Sequence, residues 1–286
     1  MINTYLPEGR IINTEENKAY TSSPAFLAEA LQKNLILEAV AVKCDADKNL
    51  YVDFGFCKGI IPREEAVFNP SGEKVKDIAV ITRVGKPVCF KVVKAECTTG
   101  AECKVVLSRR KAQMECYENK ISLLVEGDIT QATVTHMEQF GAFCDIGCGL
   151  VALLPVDCIS VSRISHPSDR FVVGQQIQTV IKSVDNELCR ITLSHKELLG
   201  TWEENAALFH AGETVSGIIR SVEPYGVFIE LTPNLAGLAE WTDGVYPGQQ
   251  ATVYIKSIIP EKNKVKLVLV DVGGIAEAPS GFNYFI

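Results

Sequence analysis

The sequence predicts an all-β protein with linker helices, built from three consecutive five-stranded barrels of which the third is shortened. Two observations carry that expectation. One block of sequence recurs along the chain, and each copy breaks into short alternating runs rich in Val, Ile, Thr and Phe, separated by glycine-containing turns.

The recurrence is clearest in the second half. Gly174-Gln175-Gln176 is followed by Ile181-Lys182-Ser183, and Gly248-Gln249-Gln250 by Ile255-Lys256-Ser257, 74 residues further on. Arg190 and Lys264 each lie 16 residues after their glycine, with Leu193 and Leu267 three beyond. Upstream, Val134, Met137 and Phe140-Gly141-Ala142-Phe143 match Ile219, Val222 and Tyr225-Gly226-Val227-Phe228 at an offset of 85, so 11 residues are missing between Glu240 and Gly248. A more divergent copy precedes both. Asp53-Phe54-Gly55 stands for Asp145-Ile146-Gly147, and Gly59-Ile60-Ile61-Pro62 for Ala152-Leu153-Leu154-Pro155. Gly85 then replaces Gly174, Lys104 replaces Arg190, and Leu107-Ser108 replaces Leu193-Ser194.

Taken in order, residues 1–34 form an N-terminal segment in which Ser22-Ser23-Pro24 starts a helix over 24–33, with hydroxyl caps and proline in the first turn. The first barrel occupies 35–115, and a helix from Ser108 to about Tyr117 joins it to the second. The second barrel, 120–199, has strands at about 128–137, 140–146, 150–154, 175–184 and 189–194. Five strands with a long excursion between the third and fourth fit a closed barrel of the OB type, which leaves no free sheet edge. The third barrel fills 200–272. It opens on a helix whose capping box is Thr201-Trp202-Glu203-Glu204, running to about Phe209 and ended by Gly212. The tail, 273–286, with Gly273-Gly274 and Pro279-Ser280-Gly281, is expected to be loose.

Composition narrows the function. A hydrophobic content of 47% is that of globular protein, and no apolar run reaches the roughly 18 residues of a membrane helix. Met1-Ile2-Asn3-Thr4-Tyr5 lacks the basic start of a secretory signal, so a cytoplasmic protein without a membrane partner is expected. Ten cysteines include no C-x-x-C pair and share no ligand spacing with the four histidines. They are expected as reduced thiols filling small apolar sites, with no metal and no cofactor. His195, beside Lys196 after the last strand of the middle copy, is expected on the surface. Neither a P-loop nor a nucleophile elbow is present, and Asp145 and Asp185 occupy repeat positions, so the chain is expected not to be an enzyme.

Net charge is −7, yet residues 35–115 carry 14 basic and 11 acidic side chains, while 201–286 carry 5 and 10. Bulk attraction to phosphate is weak, so a nucleic-acid binder of this composition depends on local cations and base stacking. Phe140 and Phe143 flank Gly141-Ala142. Strict alternation sends one ring in and one out, whereas a glycine-centred bulge places both on the surface as stacking platforms; burial of both is the competing arrangement. Lys182 in strand four and Arg190 at the start of strand five are candidate phosphate contacts, and all three copies carry a cation at the latter place, Lys104, Arg190 and Lys264.

The run Gly127-Asp128, Phe140-Gly141-Ala142-Phe143-Cys144-Asp145-Ile146-Gly147, Leu153-Leu154-Pro155, Gly174-Gln175, Val184-Asp185 and Arg190-Ile191-Thr192-Leu193-Ser194 resembles the S1 RNA-binding domain. The likeness is specific in the middle copy, good in the third and loose in the first. The arrangement is similar to shortened relatives of ribosomal protein S1 in Gram-positive bacteria. This resemblance implies an OB-fold and a face for single-stranded RNA. The family's surface aromatics fall on Phe140 and Phe143, its acidic and basic face residues on Asp185 and Arg190. In the third copy they fall on Tyr225, Phe228 and Lys264, with Ile259 at the acidic place; in the first, on Lys48, Tyr51 and Lys104. A histidine that some members carry after strand three is replaced here by Pro62, Pro155 and Glu240. Single-stranded mRNA is the implied partner, with the 30S ribosomal subunit as a partner for the first barrel. A protein-interaction scaffold and a free post-transcriptional regulator stand as the alternatives.

Overall fold

A computed structural model of the chain describes residues 5–70, 72, 75–96, 103–185, 189–277 and 281–285. Cys97 and residues 278–280 and 286 of the tail lie outside them. The first barrel consists of β1 (Ile36–Cys44), β2 (Leu50–Asp53), β3 (Lys58–Ile61), β4 (Pro87–Glu96) and β5 (Lys104–Ser108). The middle one consists of β6 (Ile129–Glu138), β7 (Gly141–Gly147), β8 (Leu150–Pro155), β9 (Gln176–Asp185) and β10 (Arg190–Ser194). The third is built from β11 (Thr214–Glu223), β12 (Gly226–Thr232), β13 (Leu235–Ala239), β14 (Gln249–Ile259) and β15 (Lys264–Ile275). All three are closed, with strands in the order one-two-three-five-four around the wall. The third and fifth strands of each run parallel, through Ile60↔Val106, Leu153↔Thr192 and Leu238↔Lys266. Three OB-type barrels with one topology follow from three copies of one sequence pattern.

Alternation decides which side chains enter each barrel. On β6, Thr130, Ala132 and Val134 are buried while Ile129 and Gln131 face out. Ala132 and Val134 meet Ala142, Cys144, Ile146, Leu154, Ile177, Ile181 and Leu193 in one core, sealed by Ile159 and Phe171 from the excursion after β8. Buried Cys89, Cys116, Cys144, Cys148 and Cys158 are free thiols that fill small sites in the interior. Cys103 differs from expectation: it is disulfide-bonded.

Among the described residues five α-helices precede or connect the strands: α1 (Glu15–Tyr20), α2 (Pro24–Gln32), α3 (Ile78–Ile81), α4 (Arg109–Asn119) and α5 (Trp202–Ala206). Ser23 caps α2 ahead of Pro24, and the Ser108 hydroxyl accepts the Lys111 N–H at 2.9 Å to start α4. The capping box of α5 is present, with Glu204 accepting the Thr201 N–H at 2.7 Å, but the helix is shorter than the sequence predicts. Among the described residues no helix is long and apolar enough to cross a membrane.

The barrels are tied together by polar seams. Between the first and second, the Glu8 carboxylate receives both Nε and a terminal nitrogen of Arg109 at 2.7 and 2.9 Å, together with the Cys89 N–H at 3.0 Å. The Glu8 N–H in turn donates to Asp145 at 2.7 Å. Between the second and third, the excursion does the joining. Val161 N–H donates to Asn234 Oδ1 and Ser162 N–H to the Pro233 carbonyl, both at 3.0 Å.

The end of the tail is not loose. Phe282 packs edge-on against Phe171 and His195, and the Phe285 N–H donates to the Leu198 carbonyl at 2.9 Å. His195 is therefore fully buried rather than on the surface. The expectation failed because the side chains that cover it lie about ninety residues away along the chain.

Candidate nucleic-acid interface

On the middle barrel Phe140 does not belong to a strand. It sits in the turn between β6 and β7, so alternation does not constrain it, and it is 57% exposed. Phe143 points outward from β7, half-buried, and the two rings meet edge to face at 5.9 Å and 89°. No bulge at Gly141 re-aims a ring; the bulge lies in β6, between Val134 and His136. Gly141 has another task. A Cβ there would fall 2.5 Å from the Leu154 carbonyl oxygen, so only glycine lets β7 and β8 approach beneath Phe140. The bulge puts His136 directly opposite Phe143, where the imidazole stacks on the benzyl ring at 6.1 Å and 17°. His136 was absent from the sequence expectation. The signal that finds it is its register position across from the second aromatic.

The cations lie further off. Phe143 pairs with Leu153 and Leu153 with Thr192, so β8 separates the rings from β10 by two strand spacings, about 10 Å. Exposed Arg190, two residues before Thr192, lies opposite Asp185 on β9. Lys182 reaches the turn after β8 instead of the rings. Its Nζ donates to Cys158 Sγ at 2.9 Å, a contact that raises its pKa, while the other end of the same turn is held by Val156 N–H on the Phe140 carbonyl at 3.0 Å.

The third barrel repeats the ring pair: Tyr225, 68% exposed, meets Phe228 at 6.1 Å and 87°. Gly226 repeats the close approach, with a Cβ position 2.4 Å from the Ala239 carbonyl oxygen. Here the rings open into a groove of about 730 Å³ whose walls include Lys256, Lys262, Lys264 and Lys266. Lys266 stands directly across Leu238 from Phe228. Only Lys264 was expected. Four of the five basic residues in 201–286 thus line one groove, although the segment carries 10 acidic ones. Glu240 lines it as well.

In the first barrel the three candidates do not form a like surface. Tyr51 donates its hydroxyl to Asp45 at 3.0 Å, and Lys43 Nζ lies over its ring at 5.7 Å. Lys43 holds the place of His136, directly opposite the ring. Lys48 turns its Nζ back to the Ala46 carbonyl at 3.0 Å, whereas Lys104, the first residue of β5, lies opposite Glu96 on β4 as Arg190 lies opposite Asp185.

A model of the S1 RNA binding domain family matches residues 124–196, the span of the middle barrel. The middle barrel is an S1 domain. Over its length the chain is 29% identical to small ribosomal subunit protein bS1 of Staphylococcus aureus (strain COL), across 92% of this chain and 67% of that protein. The corresponding protein of Rhizobium meliloti (strain 1021) is 28% identical over 76% of this chain and 40% of its own length. Among solved structures, a multidomain protein with nucleic acid binding domains from Streptococcus pneumoniae aligns with 83% of this chain and 74% of that one, at 14% identity and a TM-score of 0.28. The S1 domain here carries its rings on β7 and the preceding turn, and the third barrel has the same strand order and the same ring pair.

Proposed function

We propose that this chain binds single-stranded RNA, without chemistry on it, through the ring-bearing faces of its second and third barrels. The observation that carries this reading is the repeated ring pair. Phe140 with Phe143 and Tyr225 with Phe228 hold the same edge-to-face geometry outside two barrels, each pair on a glycine that lets the strands close beneath it. Rings left outside a barrel, as Phe140 and Tyr225 are, gain little from its folding, whereas each stacked base contributes about 1–3 kcal/mol. Arg190, with Asp185 across from it, and Lys256, Lys264 and Lys266 supply the phosphate side of the contact. The RNA is mRNA, and the setting is translation in the cytoplasm. The first barrel, with a single ring already covered by Lys43, serves docking to the 30S subunit rather than base stacking.

Fluorescence anisotropy with a labelled oligouridylate tests the reading. Wild type binds at low salt, Phe140→Ala plus Phe143→Ala weakens binding, and adding Tyr225→Ala plus Phe228→Ala removes it. Absence of wild-type binding at low salt would favour a protein scaffold. Binding without cosedimentation with small ribosomal subunits would favour a free regulator.

A further inference from the structure

The outer surface of the S1 domain does not end at Phe143. Two residues along β7, about 7 Å away, Asp145 faces the same side, flanked by Thr133 on β6 and Val151 on β8. Arg190 lies two residues before Thr192 on a strand parallel to β8, which puts it at the level of Val151. This second row is the edge of a groove of about 240 Å³ between the first and middle barrels, lined by Thr133, Thr135, Val151, Arg83 and Lys86. Thr135 also donates its hydroxyl to the Phe143 carbonyl at 2.9 Å, so ring platform and groove share a strand. Arg83 and Val151 continue into an adjoining cavity of about 320 Å³ walled by Phe68 and Tyr117.

Arg83 has donors to spare. Its Nε is buried without a hydrogen-bond partner among the described residues, and its guanidinium approaches Glu8 only to 3.7 Å. Glu8 is already engaged in two-pronged fashion by Arg109. The other acid of the floor, Asp145, is buried and accepts the N–H groups of Glu8, Gly147 and Gly149. Lys86 is exposed on the same groove. A guanidinium with unspent donors beside an ammonium, on acids otherwise satisfied, is suited to an anion with several oxygens.

We propose that the seam between the first and middle barrels continues the RNA path, with Arg83 and Lys86 taking backbone phosphates of nucleotides adjoining those stacked on Phe140 and Phe143. The proposal rests on the RNA-binding reading above and extends it to residues outside the ring face. It makes the middle site longer than one barrel, and it gives the first barrel a part in binding RNA although its own ring is covered.

The test uses the full chain carrying Tyr225→Ala and Phe228→Ala, so that the third barrel's rings do not contribute. Arg83→Gln plus Lys86→Glu is compared with its parent on oligouridylates of about 4 and about 12 nucleotides. The expected result is unchanged affinity for the short probe. For the long one, affinity falls about fivefold or more and the slope of log K against log salt falls by about 2. Lys86→Glu alone, at an exposed position, gives a partial loss on the long probe and guards against a folding defect from Arg83. Equal losses on both probes, or no loss on the long one, would overturn the proposal. Phe140→Ala plus Phe143→Ala runs beside it: if that pair leaves short-probe binding intact, the ring reading itself fails, a result separate from that of the seam variants.

Discussion

The Arg170 guanidinium, on the excursion of the middle barrel, is ion-paired with the Glu230 carboxylate on β12 of the third, and both side chains are almost wholly buried. Glu230 also receives Arg220 Nε at 2.8 Å, so one carboxylate answers two guanidinium groups. Removing the shared acid therefore costs more than removing one base. Glu230→Ala strands two charges in the seam and should lower unfolding free energy by about 3–5 kcal/mol. Arg170→Met leaves Glu230 with Arg220 and should cost clearly less. Urea denaturation of the full chain measures both, and equal costs would contradict a shared carboxylate.

The tail is held by a chain of hydrogen bonds. Gln178 N–H donates to the Tyr284 oxygen at 3.1 Å, and the Tyr284 hydroxyl meets His195 Nε2 at 3.2 Å. His195 Nδ1 faces the Ile159 carbonyl at 3.1 Å, which requires the proton on Nδ1 and leaves Nε2 to accept from Tyr284. Burial, reinforced by the charge of Arg170, depresses the His195 pKa to about 4. The unfolded chain then binds a proton that the folded one refuses. The stability is fully present above about pH 6.5 and is lost as pH falls toward 4. Between pH 7 and pH 5 the wild type should lose about 2 kcal/mol that His195→Gln does not lose. Tyr284→Phe should cost about 1 kcal/mol and speed amide exchange in residues 281–285.

Glu38 titrates in the opposite sense. One of its oxygens accepts the N–H groups of Gly9, Ile11 and Ile12 at 3.0, 3.2 and 2.9 Å. Burial and the neighbouring Glu8 charge nonetheless push its pKa up to about 7. The folded state here holds a proton that the unfolded chain releases near pH 4.5, so stability falls as pH rises from there through 7. Glu38→Gln keeps an acceptor and removes the charge. Relative to wild type it should gain on the order of 1–3 kcal/mol between pH 5 and pH 8, read from denaturation midpoints at the two pH values. A constant difference would place the carboxyl's titration elsewhere.

What was legible in the sequence was what repeats. The period exposed three barrels, and the offset of the Tyr225 block exposed the shortened third. Ring identity was legible but ring direction was not, because Phe140 lies in a turn where alternation has no force. His136 escaped because its contact with Phe143 depends on a bulge that shifts the register by one residue. Lys256, Lys262 and Lys266 escaped because summing charge over a segment hides where the charge stands. His195 escaped for the simplest reason, that its partners arrive from the far end of the chain.

The lysines of the third barrel lead to the last expectation. Lys262, Lys264 and Lys266 alternate along the approach to β15 and its first residues, and all three line the groove beside Tyr225 and Phe228. In the middle barrel the place of Lys266 is taken by Thr192, and Lys182, matched to Lys256, is engaged by Cys158 in the excursion that the third barrel lacks. Binding at the third barrel should therefore lean on phosphate, and binding at the middle barrel on stacking. With Phe140→Ala and Phe143→Ala as background, changing Lys262, Lys264 and Lys266 to Gln should reduce the salt slope of oligouridylate binding by about 2–3. With Tyr225→Ala and Phe228→Ala as background, Arg190→Gln should reduce it by about 1. Equal slopes from the two barrels would mean that the four-lysine groove does not carry the RNA backbone.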